Sequence, residues 1–226
     1  SCNETIQTEC PDLFELPVDK KDAGSCWVLN CGGTHYMLGD FTGKQFIPTT
    51  GKIQMSAGPD FYASQSFSDV PDTRRIMISW LFNWGYGTGL SPDGITNVFP
   101  TGDQAGGCLS IPEEVTLKSI AGNTCLVHNP VKELDSYMEH LYTETEISIT
   151  PEQSYVIKNA SMSMDIQFSI HTYEKGKLGL VIQSDTDSTY IAGYDTDTRC
   201  IFIDRRKSGI DSVESFCGIY YSEPLP

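Results

Sequence analysis

The chain has 226 residues, 39% of them hydrophobic and 11% aromatic, enough for a packed core of one large or two smaller domains. Its formal net charge of −15 argues against nucleic acid or an anionic membrane as a partner, since both demand a basic surface. No apolar run approaches the roughly 18 residues of a membrane helix, and no secretory leader is visible.

Taken in chain order, the first notable stretch is Glu9-Cys10-Pro11-Asp12-Leu13-Phe14-Glu15-Leu16-Pro17. It sets a carboxylate beside a cysteine, a proline and an apolar cluster. A general acid needs a raised pKa, and apolar walls supply one by disfavouring the charged form. A glutamate before a proline turn is otherwise an ordinary solvated strand end. Trp27-Val28-Leu29, His35-Tyr36-Met37-Leu38 and Arg75-Ile76-Met77-Ile78-Ser79-Trp80 read as short strands between Gly, Pro and Asp turns. Leu134, Tyr137, Met138 and Leu141 share one helical face at i, i+3, i+4 and i+7, which predicts a short helix or irregular connector. Met162, Met164, Ile166, Phe168 and Ile170 alternate with polar residues, as in a half-buried strand with those five facing inward. Leu178–Ile182, Tyr190–Tyr194 and Cys200–Ile203 follow at short intervals with polar turns, the rhythm of a β-sandwich.

Eight cysteines are many for a reducing compartment, and their spacing gives no zinc pattern. Disulfides are expected. Cys26 with Cys31 and Cys200 with Cys217 are candidate loops, and the pairing stays open. Asn3-Glu4-Thr5 and Asn159-Ala160-Ser161 have the form of glycosylation acceptors. Asp185, Asp187, Asp195 and Asp197 lack the glycine and closing glutamate of a calcium loop and read as hairpin-turn residues. His35, His128, His140 and His171 form no metal or triad pattern.

Several segments recur in a telling order: Glu9-Cys10-Pro11, Gly39-Asp40-Phe41-Thr42-Gly43, Asp60-Phe61-Tyr62-Ala63-Ser64, Arg74 to Trp84, and Ser110-Ile111-Pro112-Glu113-Glu114. The series resembles glycoside hydrolase family 32, the invertases, inulinases, levanases and related fructosyltransferases. Ile203-Asp204-Arg205-Arg206-Lys207-Ser208-Gly209 resembles a segment of that family's second domain. The resemblance implies an all-β fold: the C-terminal part of a five-bladed β-propeller over residues 1–134, then a truncated β-sandwich over residues 135–226. It implies a secreted or vacuolar enzyme acting on sucrose or fructans, with no cofactor and no metal. Cys10 matches a position that is normally a free thiol in that family.

Hydrolysis with retention needs two carboxylates roughly 5 Å apart. Glu9 matches the acid/base. Asp60 and Tyr62 match a pocket-lining Asp-x-Tyr-Ala segment, in which the tyrosine hydroxyl reaches the acid. Trp80 matches an aromatic beside the fructose pocket, with Trp84 as a rival, and Asp40 matches a region touching the leaving-group sugar. Each has a plainer reading: a core aromatic for Trp80 and Trp84, a buried strand tyrosine for Tyr62, a turn former for Asp40.

The family's nucleophile sits in an Asn-Asp-Pro-Asn-Gly-like motif, and a further sugar-binding aspartate in an Arg-Asp-Pro motif. Neither occurs in this sequence. The resemblance places both upstream of residue 1, so the chain is expected to be an internal slice that does not cleave sucrose alone. A second departure is Pro112-Glu113-Glu114 in place of Pro-Arg-Glu, which removes an ion-pairing arginine. The alternative is a non-catalytic carbohydrate-binding or structural module derived from such an enzyme.

Overall fold

The computed structural model describes residues 9–19, 24–84, 107–151, 153–157, 163–171, 175–184, 187–209 and 216–225. They fall in two compact units, one of Ser1–Pro130 with Glu174–Pro226 and one of Val131–Tyr173. Both glycosylation triplets, Met162 and Asp185 lie outside the described residues.

Among the described residues the first unit holds three antiparallel sheets. Strands β1 (Pro11–Pro17), β2 (Ser25–Cys31), β3 (His35–Phe41) and β4 (Phe46–Pro48) follow one another across the first sheet, and β5 (Ile53–Gln54) also pairs with β3. The second sheet runs β10 (Asn123–Pro130), β9 (Glu113–Ile120), β7 (Ile76–Leu81), β6 (Tyr62–Ser66), with β8 (Cys108–Leu109) on β7. The third is β11 (Lys177–Gln183), β12 (Thr189–Asp195), β13 (Cys200–Lys207), β14 (Ile219–Tyr221). Small antiparallel sheets like the first two are the shape of propeller blades.

Each strand predicted from alternation in this unit forms. Phe14, Leu16, Val28, Tyr36 and Leu38 from the first sheet meet Met77, Val115 and Leu117 from the second in one buried cluster. At the far end of β1, Val18 bridges to Leu117 and the Asp19 amide donates to the Leu117 carbonyl at 2.9 Å. The first sheet is thus stitched to the second along β1. Turns behave as their residues suggest: Asp195 accepts from the Asp197 and Thr198 amides at 3.0 and 3.3 Å and closes the β12–β13 hairpin.

Two expectations need correction, and a third holds in its plainer form. Residues 134–141 make an irregular connector rather than a helix: a 3-10 turn over Lys132–Tyr137, with Tyr137 87% exposed. A face with nothing to bury against gains little from helix formation. Met164, Ile166, Phe168 and Ile170 are exposed, and residues 163–171 take no strand pairing. The alternation is real, but the inward orientation does not hold in the second unit. Finally, Cys26 and Cys200 are free thiols, so neither candidate disulfide exists. Cys26 and Cys31 stand at opposite ends of one extended strand, with side chains on opposite faces, roughly 16 Å apart at the rise of a strand. The Cys200 thiol instead donates to the Thr198 carbonyl at 3.3 Å.

Candidate active site

Glu9 lies in the bend just before β1, not on the strand itself, and its side chain is exposed. Phe14 and Leu16 do not wall it, because they point into the core between the first two sheets. Its partner is the Tyr62 hydroxyl, which donates a short hydrogen bond to Glu9 Oε2. Tyr62 is itself buried, and its ring meets Trp80 edge-on at 6.4 Å, a cross-strand pair between β6 and β7. Trp84 joins Trp80 at 5.2 Å, so the two rival tryptophans belong to one aromatic cluster.

Local interactions tie the acid-bearing segment to β6. Gln65 Nε2 donates to the Cys10 carbonyl at 3.1 Å. Asp12 accepts from the Ser66 amide at 2.7 Å and from its hydroxyl at 2.6 Å. Three bonds therefore set where the bend before β1 stands relative to the strand carrying Tyr62.

Tyr62 is aimed by a bulge. The β6–β7 register slips between Tyr62 and Gln65, and Ala63 has φ of 52°, a left-handed conformation rare for a residue with a Cβ. A buried polar group holds it. The Ala63 amide donates to the Gly32 carbonyl at 2.8 Å, and Ser79 Oγ donates to the Tyr62 carbonyl at 2.8 Å. Asn30 Nδ2 reaches the Ser64 hydroxyl at 2.7 Å and carbonyl at 3.1 Å, while its Oδ1 accepts from the Gly33 amide at 2.9 Å. Position 33 must be glycine: it has φ of 83°, and a Cβ there would stand 2.9 Å from the Ser64 amide and hydroxyl. Asn30, Ser64 and Ser79 are buried, and such groups are tolerated only when bonded in this way.

Asp60 is two residues upstream. Both of its carboxylate oxygens are engaged within the protein: Oδ1 accepts from Asn83 Nδ2 at 2.8 Å, and Oδ2 pairs with the Arg205 guanidinium. Asp40 stands apart, exposed at the end of β3 opposite Ile47, where the chain turns through Thr42–Gln45 into β4. Tyr62 therefore touches both Glu9 and Trp80, Asp60 is engaged by Asn83 and Arg205, and Asp40 is exposed on the first sheet.

Among the described residues no buried carboxylate oxygen lacks a hydrogen-bond partner, and both glutamates of the Pro112-Glu113-Glu114 segment are paired. Glu113 Oε2 is 2.9 Å from His128 Nδ1, and Glu114 is 3.6 Å from Arg74. Among the described residues no group of three His, Cys, Asp or Glu side chains is placed to hold a metal ion.

Sequence reasoning missed Asn30, Ser64, Ser79 and the Asn83–Asp60–Arg205 chain. Arg205 did stand in a segment singled out by resemblance, which was its one signal. Ser64 and Ser79 also stood in such segments, whereas Asn30 gave no signal, because a buried polar residue and a solvated one look alike in sequence.

The family model for the glycosyl hydrolases family 32 N-terminal domain matches residues 1–130, and that for the glycosyl hydrolases family 32 C-terminal domain matches residues 133–226. A levanase of Bacillus subtilis is 30% identical over 90% of this chain and 31% of its own length. The extracellular exo-inulinase inuE of Aspergillus niger is 28% identical over 96% of this chain and 43% of its own. The chain thus spans less than half the length of these relatives. Among solved structures, exo-inulinase from Aspergillus awamori superposes with a TM-score of 0.66 at 22% identity, covering 96% of this chain and 45% of that one. A fructofuranosidase from Schwanniomyces occidentalis, complexed with fructosylnystose, gives 0.67 at 21% identity, covering 96% and 46%. The likeness shows an all-β fold of propeller blades followed by a sandwich.

Proposed function

We propose that this chain, which belongs to glycosyl hydrolase family 32, is the acid-bearing part of a secreted, retaining β-fructofuranosidase acting on sucrose or fructans. The observation that carries the reading is the Tyr62 hydroxyl on the Glu9 carboxylate, beside the Trp80 ring. An exposed carboxylate held on one oxygen keeps the other for a substrate and can exchange its proton with water. In the proposed cycle Glu9 gives its proton to the glycosidic oxygen as the bond to the fructosyl carbon breaks. The resulting carboxylate then takes a proton from the water, or from the acceptor hydroxyl, that releases the fructosyl group from the attacking carboxylate. Trp80 offers a flat apolar surface to sugar C–H groups.

The attacking aspartate of the resembled motif is not in this sequence, and the division into residues 1–134 and 135–226 belongs to the same proposal. The relatives' printed names, levanase and exo-inulinase, support fructans beside sucrose as substrates.

The test is fructose release from sucrose, inulin and levan by the longest natural chain that carries these residues, with Glu9→Gln beside it. General acid–base catalysis is worth about 10²–10⁴-fold, and Glu9→Gln is expected to lose a factor of that size. Residues 1–226 alone are expected to release none. Unchanged turnover in Glu9→Gln would overturn the assignment of the acid. Sugar binding without turnover by the longest chain would favour a carbohydrate-binding module.

A further inference from the structure

We propose that Arg205 is a positioning residue for the Glu9–Tyr62 pair: a guanidinium delivered from β13 that fixes the segment from which the phenol reaches the acid. The proposal rests on the reading of Glu9 as the acid/base.

Arg205 is only 8% exposed, an unusual place for an arginine. Its guanidinium carbon stands 3.9 Å from the Phe216 ring centroid and 4.8 Å from that of Tyr220. Nε donates to the Phe216 carbonyl at 2.5 Å, Nη2 reaches the Tyr220 hydroxyl at 3.5 Å, and Nη1 pairs with Asp60. A planar fork bonded at three nitrogens and packed on aromatic rings has little freedom left. It serves as a fixed post for a side chain 145 residues away in sequence.

The post bears on the site through two peptide units. Asp60 is held on one oxygen by Arg205 and on the other by Asn83. Two residues later comes Tyr62, and directly after it the bulge at Ala63. The bulge is anchored on its downstream side by Gly32, Ser79 and Asn30. Phe61 packs on the core and on His128, and the clamp on Asp60 adds a polar hold on that upstream side. Burying an ion pair is a poor route to stability, since apolar residues of similar volume do as well or better. Fixing a geometry is what such a pair does well.

The experiment uses the longest natural chain, with Arg205→Lys, Asp60→Asn, Tyr62→Phe and the Arg205→Lys/Tyr62→Phe double variant. Lysine keeps the charge and loses the fork. We expect Arg205→Lys to lower kcat about 10- to 100-fold, the cost of a misplacement near 1 Å, with KM little changed. Its pH–rate profile should move in the same direction as that of Tyr62→Phe. In the Tyr62→Phe background the second substitution should add less than about threefold, as expected for residues that act as a unit. Asp60→Asn should reproduce the loss, and it serves if Arg205→Lys does not fold. Fully multiplicative losses, or a lowered Tm with kcat and pH profile unchanged, would overturn the proposal. Near-ultraviolet circular dichroism of the Tyr62–Trp80 pair is followed in parallel. Arg205→Lys should weaken the band that Tyr62→Phe removes, and an unchanged band refutes the positioning role even if the parent chain releases no fructose.

Discussion

The sheets of residues 11–130 and the sheet of residues 177–221 are written in the same alternating pattern but held in different ways. In the former, apolar side chains of two sheets close on one another, and Phe14, Val28, Met77 and Leu117 are almost fully buried. In the latter, Val181, Ile182, Ile201 and Ile203 are exposed, and cations lie against the aromatic rings, Lys177 on the surface and Arg205 buried. Lys177 Nζ sits 5.1 Å from both the Phe202 and Tyr221 ring centroids, and Arg205 lies between Phe216 and Tyr220. Alternation tells that one face of a strand is apolar. It does not tell what covers that face.

Truncations should separate the two regions most sharply. Met77→Ala removes a side chain with no exposure from the centre of the two-sheet core and should cost about 2–5 kcal/mol. The loss would be read from denaturant unfolding of the natural chain. A cost below about 1 kcal/mol would mean that the core collapses around the gap.

Alkaline titration should sharpen the contrast at an intermediate size. Tyr36 reaches from β3 to the second sheet, where its hydroxyl accepts from the Leu126 amide at 3.1 Å, and burial pushes its pKa up from the ordinary 10.0. The sign follows from linkage. The folded value is raised, so the contribution is fully present below the unfolded value and is lost as pH climbs through the folded one. Stability should fall above about pH 10. Tyr36→Phe should flatten that fall while costing about 1 kcal/mol at neutral pH for the lost bond. An alkaline limb unchanged in Tyr36→Phe would assign it elsewhere.

Ile203→Ser should have the smallest effect. The side chain is 48% exposed on β13, so the change should stay within about 0.5 kcal/mol. A loss comparable to that of Met77→Ala would show a covering layer over this sheet and erase the contrast.

Much of the fold was legible because strands announce themselves with a period of two. Residues 27–29, 35–38, 76–80, 178–182, 190–194 and 200–203 all lie in strands. The aromatic and acidic members of the site were legible through ordered motifs, and Tyr62 does reach Glu9. The rest was hidden for stated reasons. The spacing of Leu134, Tyr137, Met138 and Leu141 fits a helix, but helices need a surface to pack on. Cysteine count suggested bridges, but Cys26 and Cys31 share one strand and face opposite ways. Asp60 read as a pocket-lining residue, and the motif gave no sign that Asn83 and Arg205 would engage its two oxygens. Asn30 and Ser79 support the bulge from sequence-distant strands, and nothing local in the chain marks them for it.

The stitching of β1 also has a kinetic side. Its bonds reach 54 residues ahead, from Asp12 to Ser66, and 100 residues ahead, from Asp19 to Ser119. Contacts that close such long loops are costly in chain entropy and form late, whereas the β2–β3 hairpin closes within a few residues. The acid should therefore meet its phenol among the last events of folding, after β6 and β9 are in place. Folding-rate measurements should then give φ-values near zero for Asp12→Ala and Asp19→Ala and well above them for Val28→Ala. A chain assembled in that order sets the Glu9–Tyr62 contact only once the sheets around it are complete.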